Sequence, residues 1–419
     1  MRIFDNPRLL IGRVICLILP LAVLAASLAW SPVSWSQTTA STSQPLCSWT
    51  TEVTGRGLSN TAYPDTDATY WVMPVDTSKW QSMILTGQYT RSRFFSFTTY
   101  YSRQQTGPRV VEAIIDADIA PDAGSSNPFA PGTATARHNY TVTFDANATG
   151  TGNHVTWASN QISYVVYRIY VADKGLGREA GAPLPNLTLV DTSGNQHPLA
   201  QCSSATRVAA ELKSLLAALQ SGFVAETCST TTPQPGAVTF TPNSGSGGPG
   251  GFPNPVTTYY SARNLCLQSD QVIVVRGQAP DFPNTYNGGS IYQPALPGSV
   301  QVRYWSMCNN KEVTPGPVVA CMADHATQLD DEGFYTYVVS HEDAGPIPGA
   351  PPSWLPAGAT WLRWGDPLIR SALGFRDMLP QAGFTLTGSY LPTGVYCDKN
   401  LLIAQGWRAC FAAAGVTPP

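Results

Sequence analysis

The chain states one ordered series of motifs twice, and this limits its possible folds more than any other feature. Thr86-Gly87-Gln88, Arg93-Phe94-Phe95-Ser96, Val110-Val111 leading to Asp116, Tyr140-Thr141-Val142 and Tyr167-Arg168 follow one another in the first half. Arg276-Gly277-Gln278, Arg303-Tyr304-Trp305-Ser306, Val318-Val319 leading to Asp324, Tyr335-Thr336-Tyr337 and Phe375-Arg376 repeat the order in the second. Arg93 and Asp116 stand 23 positions apart, and Arg303 and Asp324 stand 21 apart. Self-similarity at so long a period predicts two copies of one unit.

The matched segments are β-branched or aromatic and are separated by Gly, Pro, Asn and Asp clusters, which marks them as strands. Strand candidates fall at 82–85, 93–100, 109–115, 139–144, 162–171 and 187–190 in the first copy. In the second they fall at 272–276, 300–307, 317–323, 334–340, 360–364 and 372–378. Such spacing without alternating helices predicts a mainly β protein of two related antiparallel β-sandwich units, jelly-roll-like, with a few short helices. One larger double sandwich is the alternative. The expected organisation is a first sandwich over 47–200, a helix and connection over 201–228, a Gly/Pro/Thr-rich linker over 229–258, a second sandwich over 259–380 and a helical tail over 381–419. Val208, Leu212, Leu215, Leu216 and Leu219 recur at helical spacing within 205–220. The second copy carries an insertion, 280–297, between its first two matched strands.

Residues 1–36 read as an export signal: Arg2, Arg8 and Arg13 precede an apolar run from Val14 to Trp30, with small residues for cleavage after Ala29 or Ser36. An uncleaved anchor is the alternative. Cys16 follows Val14-Ile15, an unsuitable context for lipidation. No later segment reaches the roughly 20 apolar residues of a membrane helix. The expected location is the periplasm, exterior or cell surface of a bacterium. Removing the signal's +2 from the whole-chain charge of −3 leaves −5, which gives no footprint for nucleic acid.

Eight cysteines remain: Cys47, Cys202, Cys228, Cys266, Cys308, Cys321, Cys397 and Cys410. An even number in an exported chain predicts four disulfides. Chain order favours Cys308 with Cys321 on consecutive strands, Cys397 with Cys410 around the last helix, Cys47 with Cys202 around the first copy, and Cys228 with Cys266 across the linker. No Cys-x-x-Cys pair occurs, so zinc has no signature.

Four polar positions recur: Arg93 with Arg303, Ser96 with Ser306, Asp116 with Asp324, and Arg168 with Arg376. Arginine on an aromatic strand needs a carboxylate partner, so the first reading is an Arg–Asp strut inside each sandwich. An anion or sugar site is the functional reading. After the shared aspartate the copies differ, Asp116-Ala117-Asp118 against Asp324-His325. A carboxylate can orient an imidazole as a general base, but neighbours on a strand face opposite ways unless the strand has ended. His341-Glu342-Asp343 lacks the second histidine of a zinc helix. Asp65-Thr66-Asp67, and Asp116, Asp118 and Asp122 with Asn127, are the candidate calcium loops; neither matches an EF-hand, and solvated turns are the commoner explanation. Gly175-Leu176-Gly177-Arg178-Glu179-Ala180 is followed by Pro183 rather than a helix, which rejects a dinucleotide fingerprint. Neither a Gly-x-Ser-x-Gly elbow nor a Walker loop is present.

Phe95-Ser96-Phe97 with Tyr100, residues 122–129, Tyr167-Arg168-Ile169-Tyr170, Arg303-Tyr304-Trp305-Ser306, Trp361-Leu362-Arg363-Trp364-Gly365 and Arg376-Asp377-Met378-Leu379-Pro380 together resemble a family of uncharacterised exported bacterial proteins with duplicated β-sandwich units. The resemblance spans most of the mature chain. It implies fold and export and carries no catalytic residues.

Two functions follow as expectations. One is an exported, disulfide-stabilised binding or surface-associated module, with carbohydrate a candidate ligand. The other is an extracytoplasmic hydrolase acting on glycans through Asp116, Asp324 and His325. A ligand site is expected on the second copy or at its junction with the first, walled by Trp354, Trp361 or Trp364 and by Tyr286 of the insertion. The competing reading places those tryptophans in the core.

Overall fold

A computed structural model describes residues 47–419 apart from 57–59, 104–106, 133, 148–149, 151, 210–226, 229–233, 235, 244–251, 292–299 and 342–349. The signal segment and Cys16, most of the 205–220 helix, the centre of the linker, the end of the insertion, and Glu342 and Asp343 lie outside the described residues. Residues 204–209 are helical.

The described chain is mainly β and forms four five-stranded sheets. In the first sandwich β1 (Thr51–Thr54), β2 (Ala68–Asp76), β3 (Trp80–Gln88), β4 (Ser92–Arg103), β5 (Gly107–Ile115), β6 (Asn139–Asp145), β7 (His154–Thr156), β8 (Ile162–Ala172), β9 (Asn186–Asp191) and β10 (Gln196–Leu199) give sheets β1-β2-β8-β4-β5 and β10-β9-β3-β6-β7. In the second β11 (Ala237–Thr239), β12 (Thr241–Pro242), β13 (Thr257–Leu265), β14 (Gln271–Gln278), β15 (Tyr304–Lys311), β16 (Val318–Ala323), β17 (Phe334–Ser340), β18 (Thr360–Arg363), β19 (Ser371–Met378) and β20 (Thr393–Asp398) give β12-β13-β19-β15-β16 and β11-β20-β14-β17-β18. Eight consecutive strands, β2–β9 and β13–β20, occupy matching places. Even the one parallel edge of each recurs, β6 with β7 and β17 with β18. The units are therefore related sandwiches, antiparallel except at that edge.

Matching registers put matching residues together. Ser96 lies opposite Arg168, and Ser306 opposite Arg376. Gly87 pairs with Tyr140 and Gly277 with Tyr335, and a Cβ on either glycine would come within 2.6 or 2.2 Å of the tyrosine hydroxyl. Each glycine thus makes room for a ring folded across the neighbouring strand.

The outer sheets differ. β3 alternates buried and partly exposed residues, whereas the Val272-Ile273-Val274-Val275 run of β14 is buried on both faces. The helix Lys399–Ala413 lies over Val272, Val274, Val338 and Val395 through Leu402, Cys410 and Phe411, adding a third layer. Gly406, at φ +77°, breaks this helix, and Asp398 caps its start through the Leu401 N–H. The edge closed by β10 in the first sandwich is closed in the second by β11, which arrives from before the unit. Strands at 237–242 and 393–398 therefore extend the second sandwich's sheets beyond the expected 259–380.

Four disulfides close the described chain: Cys47–Cys202, Cys228–Cys266, Cys308–Cys321 and Cys397–Cys410. Such a set belongs to an oxidising, non-cytoplasmic environment. Among the described residues no helix is long and apolar enough to cross a membrane.

Candidate functional site

The repeated arginines and aspartates meet at the seam between the sandwiches, and their pairing is exchanged. Arg93 binds Asp324 of the second sandwich, and Arg303 Nη1 binds Asp116 of the first at 2.9 Å. Each aspartate also accepts a backbone N–H from its own sandwich, Phe95 to Asp116 at 2.9 Å and Trp305 to Asp324 at 3.2 Å. The expected strut inside each unit is thus half right in position and wrong in partner. The carboxylate braces its own sheet while neutralising its neighbour's guanidinium, the reciprocal contact of a two-fold interface. Burial pushes the Asp116 carboxyl up, and Arg303 pulls it back only in part.

Arg376 and Arg168 form the next layer. Arg376 Nη1 lies 3.2 Å from Asp65 Oδ2, which also accepts from Tyr304 Oη at 2.9 Å and Ser306 Oγ at 2.7 Å. Arg168 donates to Thr98 Oγ1 at 2.9 Å, to Tyr100 Oη and to the Phe252 carbonyl at 3.0 Å. Its predicted carboxylate is replaced by neutral oxygens.

β16 ends at Ala323 and Asp324–Ala326 turns as a short 3-10 helix, so His325 Nδ1 comes within 3.5 Å of Asp324 Oδ1. The condition for an adjacent Asp–His dyad is therefore met, yet the group is sealed. Asp324 is bound by Arg93, the Trp305 N–H and the His325 N–H, and the His325 ring stacks on Tyr286 at 4.1 Å. Part of the described insertion packs inward, with Pro283 and Thr285 buried and Ile291 against the first core, while residues 287–290 are exposed. Tyr286 covers the seam rather than reaching into solvent.

The other candidates are similarly engaged. Asn127 Nδ2 donates to the carbonyls of Asp116 (2.7 Å) and Ile119 (2.9 Å), knitting the acidic turn with an amide donor where calcium would need acceptors. Asp65 is bound by Arg376. The one cluster of metal-ligating residue types among the described residues, Asp65 with Cys308 and Cys321, has its sulfurs in a disulfide. Trp361 and Trp364 are buried, and Trp361 Nε1 donates to Ser340 Oγ at 2.8 Å. Trp354 is half-buried, with Lys399 Nζ 4.6 Å over its ring. None of the three walls either cleft described next.

Two clefts open near β18. One, of about 740 Å³, is lined by Cys228, Leu267, Gln268, Ser269, His341, Arg363, Gly365 and Pro367. The other, of about 460 Å³, lies at the seam and includes Arg56, Asn60, Thr66, Cys321 and again Arg363. His341 Nε2 donates to the Leu267 carbonyl at 2.9 Å, which makes Nδ1 the acceptor of the neutral ring. Burial lowers its pKa and favours that neutral form. Beneath Gly365, Lys311 Nζ is held by the carbonyls of Asp366 (2.8 Å) and Ile369 (3.1 Å) and lies 4.4 Å over the Trp364 ring; burial brings its pKa down to about 7.

No protein-family model and no curated protein matches the sequence. Among solved structures the chain is similar to an uncharacterised protein from Burkholderia cenocepacia, at 12% identity, TM-score 0.51, covering 84% of this chain and 82% of that one. It also aligns with a protein from Vibrio parahaemolyticus at 10% identity and TM-score 0.38, covering 79% and 89%. The first likeness shows a shared fold across most of both chains. It agrees with the resemblance to uncharacterised bacterial proteins in fold, and no activity comes with it.

Sequence reasoning missed Asp65 as the third seam carboxylate, and Lys311, His341 and Arg363 as cleft residues. Asp65 could have been found by aligning Pro64-Asp65 and Tyr70 with Pro253-Asn254 and Tyr259, which share their spacing.

Proposed function

We propose that this is an exported, non-catalytic binding protein that holds a small anionic, hydroxyl-bearing ligand, such as an acidic sugar, in the two clefts that share Arg363. Residues 1–36 would serve as its signal peptide, delivering it to the periplasm or beyond. The observation that carries the reading is Arg363 lining both clefts, with Arg56 in the second, so that guanidinium groups stand at a concave surface of mixed polar and apolar residues. Guanidinium recognises carboxylates through charge-assisted, often bidentate hydrogen bonds. The hydrolase reading has less support, because Asp116, Asp324 and His325 are sealed in the seam. Calorimetric titration with uronic-acid oligosaccharides and their neutral counterparts tests it. The acidic series alone should bind, and Arg363→Ala should weaken it at least about tenfold, the equivalent of ~1.4 kcal/mol. Equal binding of neutral sugars, or a folded Arg363→Ala protein with unchanged affinity, would refute it.

A further inference from the structure

We infer that the seam binds a small monovalent anion of halide type beside Arg168, against the amide of Asn254, the residue that the internal duplication relates to Asp65. The relation is fixed by backbone contacts. Asp65 N donates to Tyr70 Oη at 3.2 Å, and Asn254 N to Tyr259 Oη at 3.3 Å. Asp65 Oδ1 accepts from Asp67 N at 3.0 Å, and Asn254 Oδ1 from Val256 N at 3.4 Å. The Tyr63 carbonyl accepts from Arg376, and the Phe252 carbonyl from Arg168.

An amide thus replaces a carboxylate in otherwise parallel surroundings. Where Tyr304, Ser306 and Arg376 converge on Asp65, the related residues are Phe94, Ser96 and Arg168. Ser96 Oγ and Asn254 Nδ2 are buried with no hydrogen-bond partner among the described residues. Arg168 is 1% exposed and makes no ion pair among them. Arg93, Arg303 and Arg376 are ion-paired with Asp324, Asp116 and Asp65 in turn, and Arg168 alone of the four repeated arginines has no carboxylate partner among the described residues. A buried charge demands compensation, and a buried donor demands an acceptor. One anion accepting from Ser96 Oγ and Asn254 Nδ2 supplies both beside the uncompensated cation.

The test melts the purified protein in sodium chloride or bromide against sodium isethionate at equal ionic strength. A saturable halide-specific rise of roughly 2–4 °C is expected. Asn254→Asp, which restores the carboxylate, should abolish the halide dependence. Crystals of the unaltered protein soaked in bromide should show anomalous density in contact with Ser96 and Asn254, a readout independent of whether any variant folds. No halide-specific shift, a shift that survives Asn254→Asp, or water alone at that position in the soaked crystals would overturn the inference.

Discussion

The two ends of the seam make one contact twice, with the roles of the sandwiches exchanged and the burial unequal. Arg93 is fully enclosed, whereas the side chain of Arg303 is 16% exposed. The difference comes from the insertion, which lays the Phe282 ring 4.9 Å from the Arg93 guanidinium and Thr285 Oγ1 3.2 Å from its Nε. In the first sandwich only Tyr89–Arg91 separates β3 from β4. The same kind of ion pair is thus placed in two dielectric settings, with the longer loop covering one of them. Removing one partner of a sealed pair strands a buried charge, while water can reach a partly open one. Arg93→Ala should therefore cost roughly 3–5 kcal/mol, and Arg303→Ala distinctly less, in urea unfolding. Equal losses would show that the insertion does not set the environment of the pair.

A second difference lies on one rung. Cys308 faces Cys321 between β15 and β16, and the matching rung between β4 and β5 holds Thr98 and Ala113. The second sandwich spends a covalent link, 13 residues in span, where the first uses Thr98 to accept from Arg168. Loop-closure reasoning gives the link about 3 kcal/mol. The Cys308→Thr, Cys321→Ala pair, which copies the first sandwich, should lose about that much by thermal or urea unfolding. A loss near zero would mean that the surrounding sheet already fixes the rung.

The same comparison separates what was legible in the sequence from what was not. Arg93, Asp116, Tyr140 and Arg168 repeat because they stand at matched register positions, so the duplication, the strand core and the cysteine pairs can be read from chain order. Partner choice cannot, because a repeat is equally satisfied by closure within a unit or by exchange between units. Three strands that lie one place in from a sheet edge were also hidden. β2 contains Pro74, β13 is polar through Ser261-Ala262-Arg263-Asn264, and β20 sits in a span whose later residues are helical. The clefts depend on Arg363, Gly365 and His341 meeting through tertiary packing, and local pattern carries no such information.

The smallest contrast is at the turn entering each sandwich, where Asp67 stands in the first and Val256 in the second. Partial burial, aided by the charge of Asp65 and opposed by His325, raises the Asp67 carboxyl from 3.8 to about 6. The folded state therefore binds more protons than the unfolded state between these values, and stability falls as pH rises through that window. At pH 7 the whole penalty is present. Asp67→Asn should relieve it, adding about 1–2 kcal/mol at pH 7 once solvent screening of this partly exposed group is allowed for. The gain should fade towards zero below roughly pH 4, where both states are protonated. Val256→Asp brings a carboxylate to the related turn, next to the amide of Asn254 instead of the charge of Asp65; it also removes Val256 from the apolar cluster at the seam, so the comparison rests on the pH-dependent part of its cost, which should be smaller than the pH-dependent gain from Asp67→Asn. Unfolding curves for both variants between pH 3 and 8 check this. A pH-independent gain in Asp67→Asn would trace the effect to hydrogen bonding at Thr66 rather than to charge, and would leave the two turns electrostatically alike.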